Sequence, residues 1–286
     1  NLEEISLNKN TLSTLPESVG EFLYLEKLAI GGNKNLDFEK SLRILSNIKT
    51  LYSLDLSYCG FDTIPFALSN IVNLTSLDLS GNPGIAWDTS FAYLSQTNKL
   101  EELYIRDNKL REIPESIVGL KHLRVLDVSD NAKLNFRQMI RIIEPLFKIE
   151  EFYGSGCEFS SIPEEIVKLS RIQVMDLSNN QIQEIPEFLG KLIELEILDL
   201  AHNDIDYVSE EISFLQYIVY LSLYDNPLRD LPESVEELTT LEILELPEAG
   251  FEDKKKRRQI QSWLPNTDIF YFTPEGNKKK LKIFGK

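Results

Sequence analysis

Leu2-Glu3-Glu4-Ile5-Ser6-Leu7-Asn8-Lys9-Asn10-Thr11-Leu12 opens the chain, and its pattern, Leu-x-x-Leu-x-Leu-x-x-Asn-x-Leu, decides the fold. The pattern starts again at Leu25, Leu51, Leu74, Leu100, Leu123, Ile149, Ile172, Leu195, Ile218 and Leu241. Repetition at a fixed period of this length means a solenoid, in which each unit buries its apolar side only against its neighbours. Within the unit, Ile5 and Leu7 alternate inward as a short strand while Glu4 and Ser6 face solvent. Leu2 and Leu12 are expected to bury the turns on either side.

The ninth residue of the pattern forms a ladder: Asn10, Asn33, Cys59, Asn82, Asn108, Asn131, Cys157, Asn180, Asn203 and Asn226, ending at Ala249. An amide there offers donors and acceptors to backbone groups that the turn leaves unpaired. The pattern is the signature of the leucine-rich repeat family, which the chain resembles over roughly residues 1–251. The resemblance implies an α/β fold: a curved, right-handed solenoid with a parallel sheet of about eleven short strands on its concave face. Short helices and turns then make the convex face. It also implies that Cys is allowed in the Asn slot, which accounts for both cysteines of the chain. Four repeats apart, the two sulfurs lie roughly 19 Å from each other, beyond disulfide reach.

Successive repeats start 23, 26, 23, 26, 23, 26, 23, 23, 23 and 23 residues apart. Pro16, Pro65, Pro114 and Pro163 mark the 49-residue double repeat, and Pro186 and Pro232 continue at 23-residue pacing, with Ser209 in the proline's place. The short units resemble the Leu-Pro-x-x-Ile/Val subclass, as in Leu15-Pro16-Glu17-Ser18-Val19. Proline suits the start of a short helical turn because its fixed φ and missing N–H cost nothing there. In the longer units, Phe38, Trp87 and Phe136 open an apolar stripe continued by Leu42, Leu45 and Ile48, by Phe91 and Leu94, and by Ile140, Ile143 and Leu146. That spacing predicts a one-sided helix about three turns long, with the aromatics as core filler.

After the last repeat, residues 252–273 read as a cap. Ile260, Trp263 and Leu264 form a helical stripe stopped by Pro265, and Ile269 to Phe272 looks like a final strand. This ending resembles caps of bacterial leucine-rich repeat proteins. The basic run Lys254 to Arg258 reads as the solvated face of the cap helix, and residues 274–286 as a basic tail. No apolar run is long enough for a membrane span. Because Asn1 already lies inside a strand motif, the first repeat is expected to expose core leucines and a bare strand edge, with residues removed upstream.

The chain carries a formal net charge of −16 at pH 7. Residues 1–251 hold 20 Lys/Arg against 42 Asp/Glu, a net of −22. Such a surface repels nucleic acid and anionic membranes, so the expected partner is a protein with a basic or mixed polar–aromatic surface. Oligomerisation is expected to be absent or weak, through the open first repeat. The variable positions around each strand hold nineteen acids and four cations, Lys9, Lys27, Arg106 and Arg124. Asp55, Asp78, Asp127, Asp176 and Asp199 all occupy the family's Leu-Asp-Leu position. Tyr104 and Tyr153 replace that Asp two repeats apart, with Arg106 beside the first. Exposed tyrosine and arginine anchor interfaces. The candidate protein-binding residues are therefore Tyr58, Tyr104, Arg106, Asp127, Tyr153, Tyr220 and Tyr224, with Tyr52 nearby.

Catalysis and cofactors find no footing. His122 and His202 lie in different slots without a nucleophile motif, and no His-Glu-x-x-His, Cys-x-x-Cys or Gly-x-x-x-x-Gly-Lys occurs. Asp204, Asp206, Glu210 and Glu211 do not fit a calcium loop. The expected function is a non-catalytic protein-binding module, exported or displayed by a bacterium. The competing reading is a regulatory segment of a larger intracellular signalling protein, because the same repeats resemble Ras-suppressor-type scaffolds.

Overall fold

In the computed structural model, residues 2–96 and 99–273 are described; the expected tail at 274–286 lies outside the described residues. The strands in chain order are β1 (Glu4–Ser6), β2 (Lys27–Ala29), β3 (Ser53–Asp55), β4 (Ser76–Asp78), β5 (Glu102–Tyr104), β6 (Val125–Asp127) and β7 (Glu151–Tyr153). They continue as β8 (Val174–Asp176), β9 (Glu184–Ile185), β10 (Ile197–Asp199), β11 (Tyr207–Val208), β12 (Tyr220–Ser222), β13 (Ile243–Pro247) and β14 (Asp268–Phe272). Twelve of them make one parallel sheet in sequence order, and β9 and β11 pair separately. The long sheet has one strand more than the repeats supply, because β14 pairs with β13 beyond the last repeat.

Repeat length leaves the register untouched. Ile5 faces Leu28 across a 23-residue unit and Leu28 faces Leu54 across a 26-residue one. The three extra residues are taken up on the opposite side of the solenoid. There the 23-residue units carry one turn of 3₁₀ helix, such as Glu17–Glu21, Phe66–Asn70 and Glu115–Gly119, each preceded by its proline. The 26-residue units carry α1 (Phe38–Leu45), α2 (Trp87–Leu94) and α3 (Phe136–Ile143). These eight-residue helices make little more than two turns, not three. Ile48 and Leu146, the last members of the apolar stripes, are buried in the turn beyond the helix. The core is continuous from Leu15 to Leu264, and Phe38, Trp87 and Phe136 belong to it.

The ladder is more exacting than its spacing shows. Asn131 is fully buried; its Nδ2 donates to the carbonyls of Val128 (2.7 Å), Ile105 (3.1 Å) and Ser129 (3.2 Å). Its Oδ1 accepts the N–H groups of Asn108 and Leu110 in the preceding repeat, each at 3.0 Å. In each of the first six 23-residue units, the N–H two residues after the slot is accepted by the next ladder Asn, as Leu12 by Asn33, Phe159 by Asn180 and Ile205 by Asn226. In the 26-residue units the loop closes on itself instead. Leu36, Ile85 and Leu134 donate to the carbonyls of Asn33, Asn82 and Asn131.

The slots that follow the longer units are Cys59, Asn108 and Cys157, and only there does cysteine stand. A thiol can replace the donor half of the amide but is a poor acceptor, and at those slots one acceptor duty has already been removed. Cys59 Sγ points at the carbonyls of Ser57 (3.4 Å) and Ile30 (3.8 Å), and Cys157 Sγ at those of Val128 (3.3 Å) and Ser155 (3.7 Å). Burial pushes the Cys59 thiol up to about 11 and that of Cys157 to about 12. Asn10 sits exposed at the open end, and Leu2, placed by its spacing among buried turn residues, is 50% exposed, because no described repeat packs against it.

A second column escaped the sequence reading. The residue before each of the ten ladder slots from Asn10 to Asn226 has φ between +48° and +73°, in the left-handed region. Gly32, Gly81 and Gly156 adopt it freely, and Asn or Asp tolerates it at four more. Lys9, Tyr58 and His202 hold it at a cost of about 1–2 kcal/mol each.

Beyond the repeats, α4 (Lys254–Trp263) starts at Asp253, whose carboxylate accepts the Lys255 N–H at 2.8 Å. The basic run is not all solvated face. Arg257 lies 4.1 Å over the Tyr271 ring and donates to the Phe251 carbonyl, and Lys256 donates to the Arg229 carbonyl at 2.6 Å.

Candidate protein-binding face

The third residue of each strand faces away from the core, and pairing aligns these residues in rows. Tyr104 of β5, Asp127 of β6 and Tyr153 of β7 are direct neighbours in one such row. The row before it holds Glu102, Val125 and Glu151. Each tyrosine leans back along its own strand. The Tyr104 hydroxyl donates to Glu102 Oε2 at 3.3 Å and that of Tyr153 to Glu151 Oε2 at 2.6 Å. This follows from strand geometry, since residues two apart share a face. The two rings flank β6, whose three residues are all buried; Val125 is 8% and Asp127 5% exposed. Desolvation, with the neighbouring carboxylates, pushes both phenols upward, so they stay protonated donors.

The structure corrects the expectation of an exposed patch at two positions. Asp127 is covered by its tyrosine neighbours, and desolvation raises its carboxyl above the usual range despite Arg106 Nη1 at 3.6 Å. Tyr220, 6% exposed, is buried between Ile197 and Ile243 with its hydroxyl on Glu245 Oε2 at 2.8 Å. Asp127 also has a structural duty that its whole column shares. Asp55, Asp78, Asp127, Asp176 and Asp199 each accept the N–H two residues on, at 2.8–2.9 Å. The Asp of Leu-Asp-Leu is thus a turn-closing acceptor, an Asx-type bond.

The two arginines of this face are already engaged. Arg106 Nη2 reaches Asp130 Oδ2 at 3.1 Å, and Arg124 bridges Glu150 and Glu101. Such half-exposed pairs contribute little stability, but they leave the surplus of charge on this face negative. Tyr58, 48% exposed, lies flat on Gly81, where an added Cβ would meet its ring at 2.2 Å. It is not part of the Tyr104–Tyr153 row. Tyr224 belongs to a third group, edge-on to His202 (4.8 Å) and Phe272 (5.3 Å), while His202 Nδ1 meets Asp225 Oδ2 at 2.7 Å. His122 lies beside Lys148 instead. Sequence reasoning missed Glu102 and Glu151 as the groups that orient the tyrosines; the recurrence of Glu-x-Tyr at 49-residue spacing was the available signal.

Among the described residues no group of three or more His, Cys, Asp or Glu is placed to hold a metal ion, and no helix is long and apolar enough to cross a membrane. Models of leucine-rich repeats match at residues 50–71 and 99–120, at 71–86, and, as a two-copy unit, at 170–210. The chain is a leucine-rich repeat protein. No curated protein sequence matches it.

Solved structures share the fold. An internalin (inlF) from Listeria monocytogenes aligns at TM-score 0.63 and 18% identity, over 93% of this chain and 72% of that one. The leucine-rich repeat ectodomain of the receptor kinase GASSHO1/SCHENGEN3 from Arabidopsis thaliana, in complex with CASPARIAN STRIP INTEGRITY FACTOR 2, aligns at 0.53 and 26%, over 86% of this chain and 30% of that one. TLR13, in a complex with ssRNA13, aligns at 0.50 and 24%, over 81% and 29%. The leucine-rich repeat fold is in general a non-catalytic scaffold for protein interaction.

Proposed function

We propose that this leucine-rich repeat protein is a non-catalytic binding module that holds a basic partner protein on the open face of its sheet, centred on Tyr104 and Tyr153. The observation that carries the reading is the pair of tyrosine rings held by Glu102 and Glu151 over β6, beside two arginines that are already paired with carboxylates. Rings fixed before binding lose little entropy on contact. The surrounding carboxylates favour Lys- and Arg-rich surfaces through encounter rate, and the tyrosine rings through cation–π contact. Tyr58 and Tyr224 flank this centre. Display or export by a bacterium belongs to the same proposal, supported by the form of the cap.

The fold itself gives no ground for excluding nucleic acid, since TLR13 shares it and was solved with RNA. The argument against an RNA partner is the chain's own charge.

Affinity capture from native lysate and culture medium tests the reading, with the parent chain beside Tyr104→Ser/Tyr153→Ser. The variant's fold is checked by far-UV circular dichroism. A basic-surfaced protein retained by the parent, lost by the variant, and released by added salt is the expected result. Equal retention by the variant, or retention indifferent to salt, overturns it.

A further inference from the structure

The side of the solenoid opposite the long sheet carries a groove of about 510 Å³ in the repeat that starts at Leu100. Between the 23-residue units that start at Ile172 and Leu195, residues twelve and thirteen after the repeat start pair as a parallel ladder, Glu184 with Tyr207 and Ile185 with Val208. In the Leu100 unit those positions are Glu112 and Ile113, but both neighbours are 26-residue units, whose extra residues form α2 and α3. Both N–H groups and the Glu112 carbonyl have no hydrogen-bond partner among the described residues. A backbone edge that pairs elsewhere in this chain is left unpaired here.

The walls add side-chain observations. Trp87 and Ile142, with the edge of Leu110, give the groove apolar surface. Gln138, also on the wall, donates its Nε2 to the Ile113 carbonyl at 3.2 Å, which settles which end of the amide is which. Its Oε1 is buried and without a partner. A buried acceptor left unpaired costs about 1–3 kcal/mol.

The equivalent positions 49 residues earlier carry larger side chains. Phe66 stands where this unit has Glu115 and packs edge-on with Tyr93, the counterpart of Ile142, at 5.5 Å. Phe61, the counterpart of Leu110, packs on Phe38 at 4.6 Å. In the middle unit Trp87 turns to Phe91 instead, at 5.2 Å.

We propose that this groove binds an extended peptide segment of a partner protein, which adds as a strand along Glu112 and Ile113. One apolar side chain of the peptide rests on Trp87, Leu110 and Ile142, and one of its backbone N–H groups donates to the Glu112 carbonyl. A strand edge presents donors and acceptors at the spacing of a peptide backbone, which is why a peptide fits it. The volume suits a stretch of a few residues with one apolar anchor. The rim carries Lys109 and Arg111 against Asp88, Glu112 and Glu115, so charge does not select the segment. This site is separate from the sheet face and does not rest on the reading given for it.

Trp87 reports on its own groove. The chain holds two tryptophans, so Trp263→Phe leaves Trp87 as the only indole emitter. Pools of acetylated, amidated pentapeptides with a fixed central Leu, Ile, Phe, Ser or Asp are titrated against this variant up to about 1 mM. Apolar-centre pools are expected to shift Trp87 emission saturably, and Ser- and Asp-centre pools are not. The best single peptide, N-methylated at the nitrogen that donates, is expected to bind about tenfold more weakly. Glu115→Phe, a surface change copied from Phe66, is expected to weaken binding at least tenfold with an unchanged dichroism spectrum. Tyr104→Ser/Tyr153→Ser is expected to bind the peptide as the parent does. Silence of every pool, equal binding throughout the N-methylated series, or equal binding by Glu115→Phe overturns the proposal.

Discussion

Exchanging a ladder asparagine for cysteine should cost very different amounts at two slots only one repeat apart. Asn131 follows a 23-residue unit and its Oδ1 accepts two buried N–H groups, those of Asn108 and Leu110. Asn108 follows a 26-residue unit and accepts one, that of Asn82 at 2.6 Å, because Ile85 is satisfied inside its own loop. In both cases the thiol can take over part of the donor role, as Cys59 and Cys157 do. What is lost is the acceptor. At about 1–2 kcal/mol for each buried N–H left unpaired, Asn131→Cys should cost about 3 kcal/mol and Asn108→Cys about 1.5 kcal/mol. Urea unfolding followed by far-UV circular dichroism at pH 7 with reductant reads the difference as a gap in midpoint at equal slope. A solenoid unfolds through neighbour interfaces, so equal slopes are also the check that one transition is being compared. Equal midpoints for the two variants, or a larger loss at Asn108, would refute the explanation of where cysteine stands in this chain.

Two further outcomes follow from buried polar groups. Asp127 has its folded-state carboxyl raised, chiefly by desolvation, so its ionised form destabilises the fold once pH rises above that raised value. Asp127→Asn keeps the acceptor for the Ser129 N–H and should therefore show a higher Tm than the parent at pH 7, with the advantage shrinking as pH falls towards the unfolded carboxyl range near 3.8. An advantage that grows on acidification contradicts the desolvation argument. Ser209 holds the proline position with φ −72° and a buried hydroxyl that has no partner, at the expense of one long N–H bond to Ile185 (3.3 Å). Ser209→Pro should raise stability by about 0.5–1 kcal/mol; a lower urea midpoint than the parent's would show that the Ile185 bond matters more.

Much of the scaffold was legible because burial in a solenoid is periodic. The central strand residue, such as Leu28, Leu77, Leu126 or Leu198, is buried at the same place in every unit after the first. Any reading of Leu-x-Leu therefore finds the sheet, and the 23/26 alternation finds where the helices go. The left-handed column before the ladder was legible too, in the Gly, Asn and Asp at that position, but its exceptions hid it. Helix length was overread because the apolar stripe of Phe38, Leu42, Leu45 and Ile48 runs on past the helical hydrogen bonds into the following turn.

The candidate site was only half legible. Tyr104 and Tyr153 stood out by replacing Asp, yet exposure is a property of neighbours in space. Tyr220, an equally plain tyrosine on the same face, is enclosed by Ile197 and Ile243 from repeats on either side.

By itself, then, the sequence determined that this is a leucine-rich repeat solenoid, where the strands of its long sheet and its longer helices begin, and that the chain is strongly acidic. These are matters of period, composition and local geometry, which a single repeat already contains. The tertiary structure alone decided which carboxylates hold the tyrosine rings, which tyrosine is covered, and why cysteine stands only after the longer units. It also decided that the Leu100 unit keeps an unpaired backbone edge beside a groove. Each of these depends on what the adjoining repeat places within about 3–5 Å, and a repeat's own residues carry no record of its neighbour's side chains.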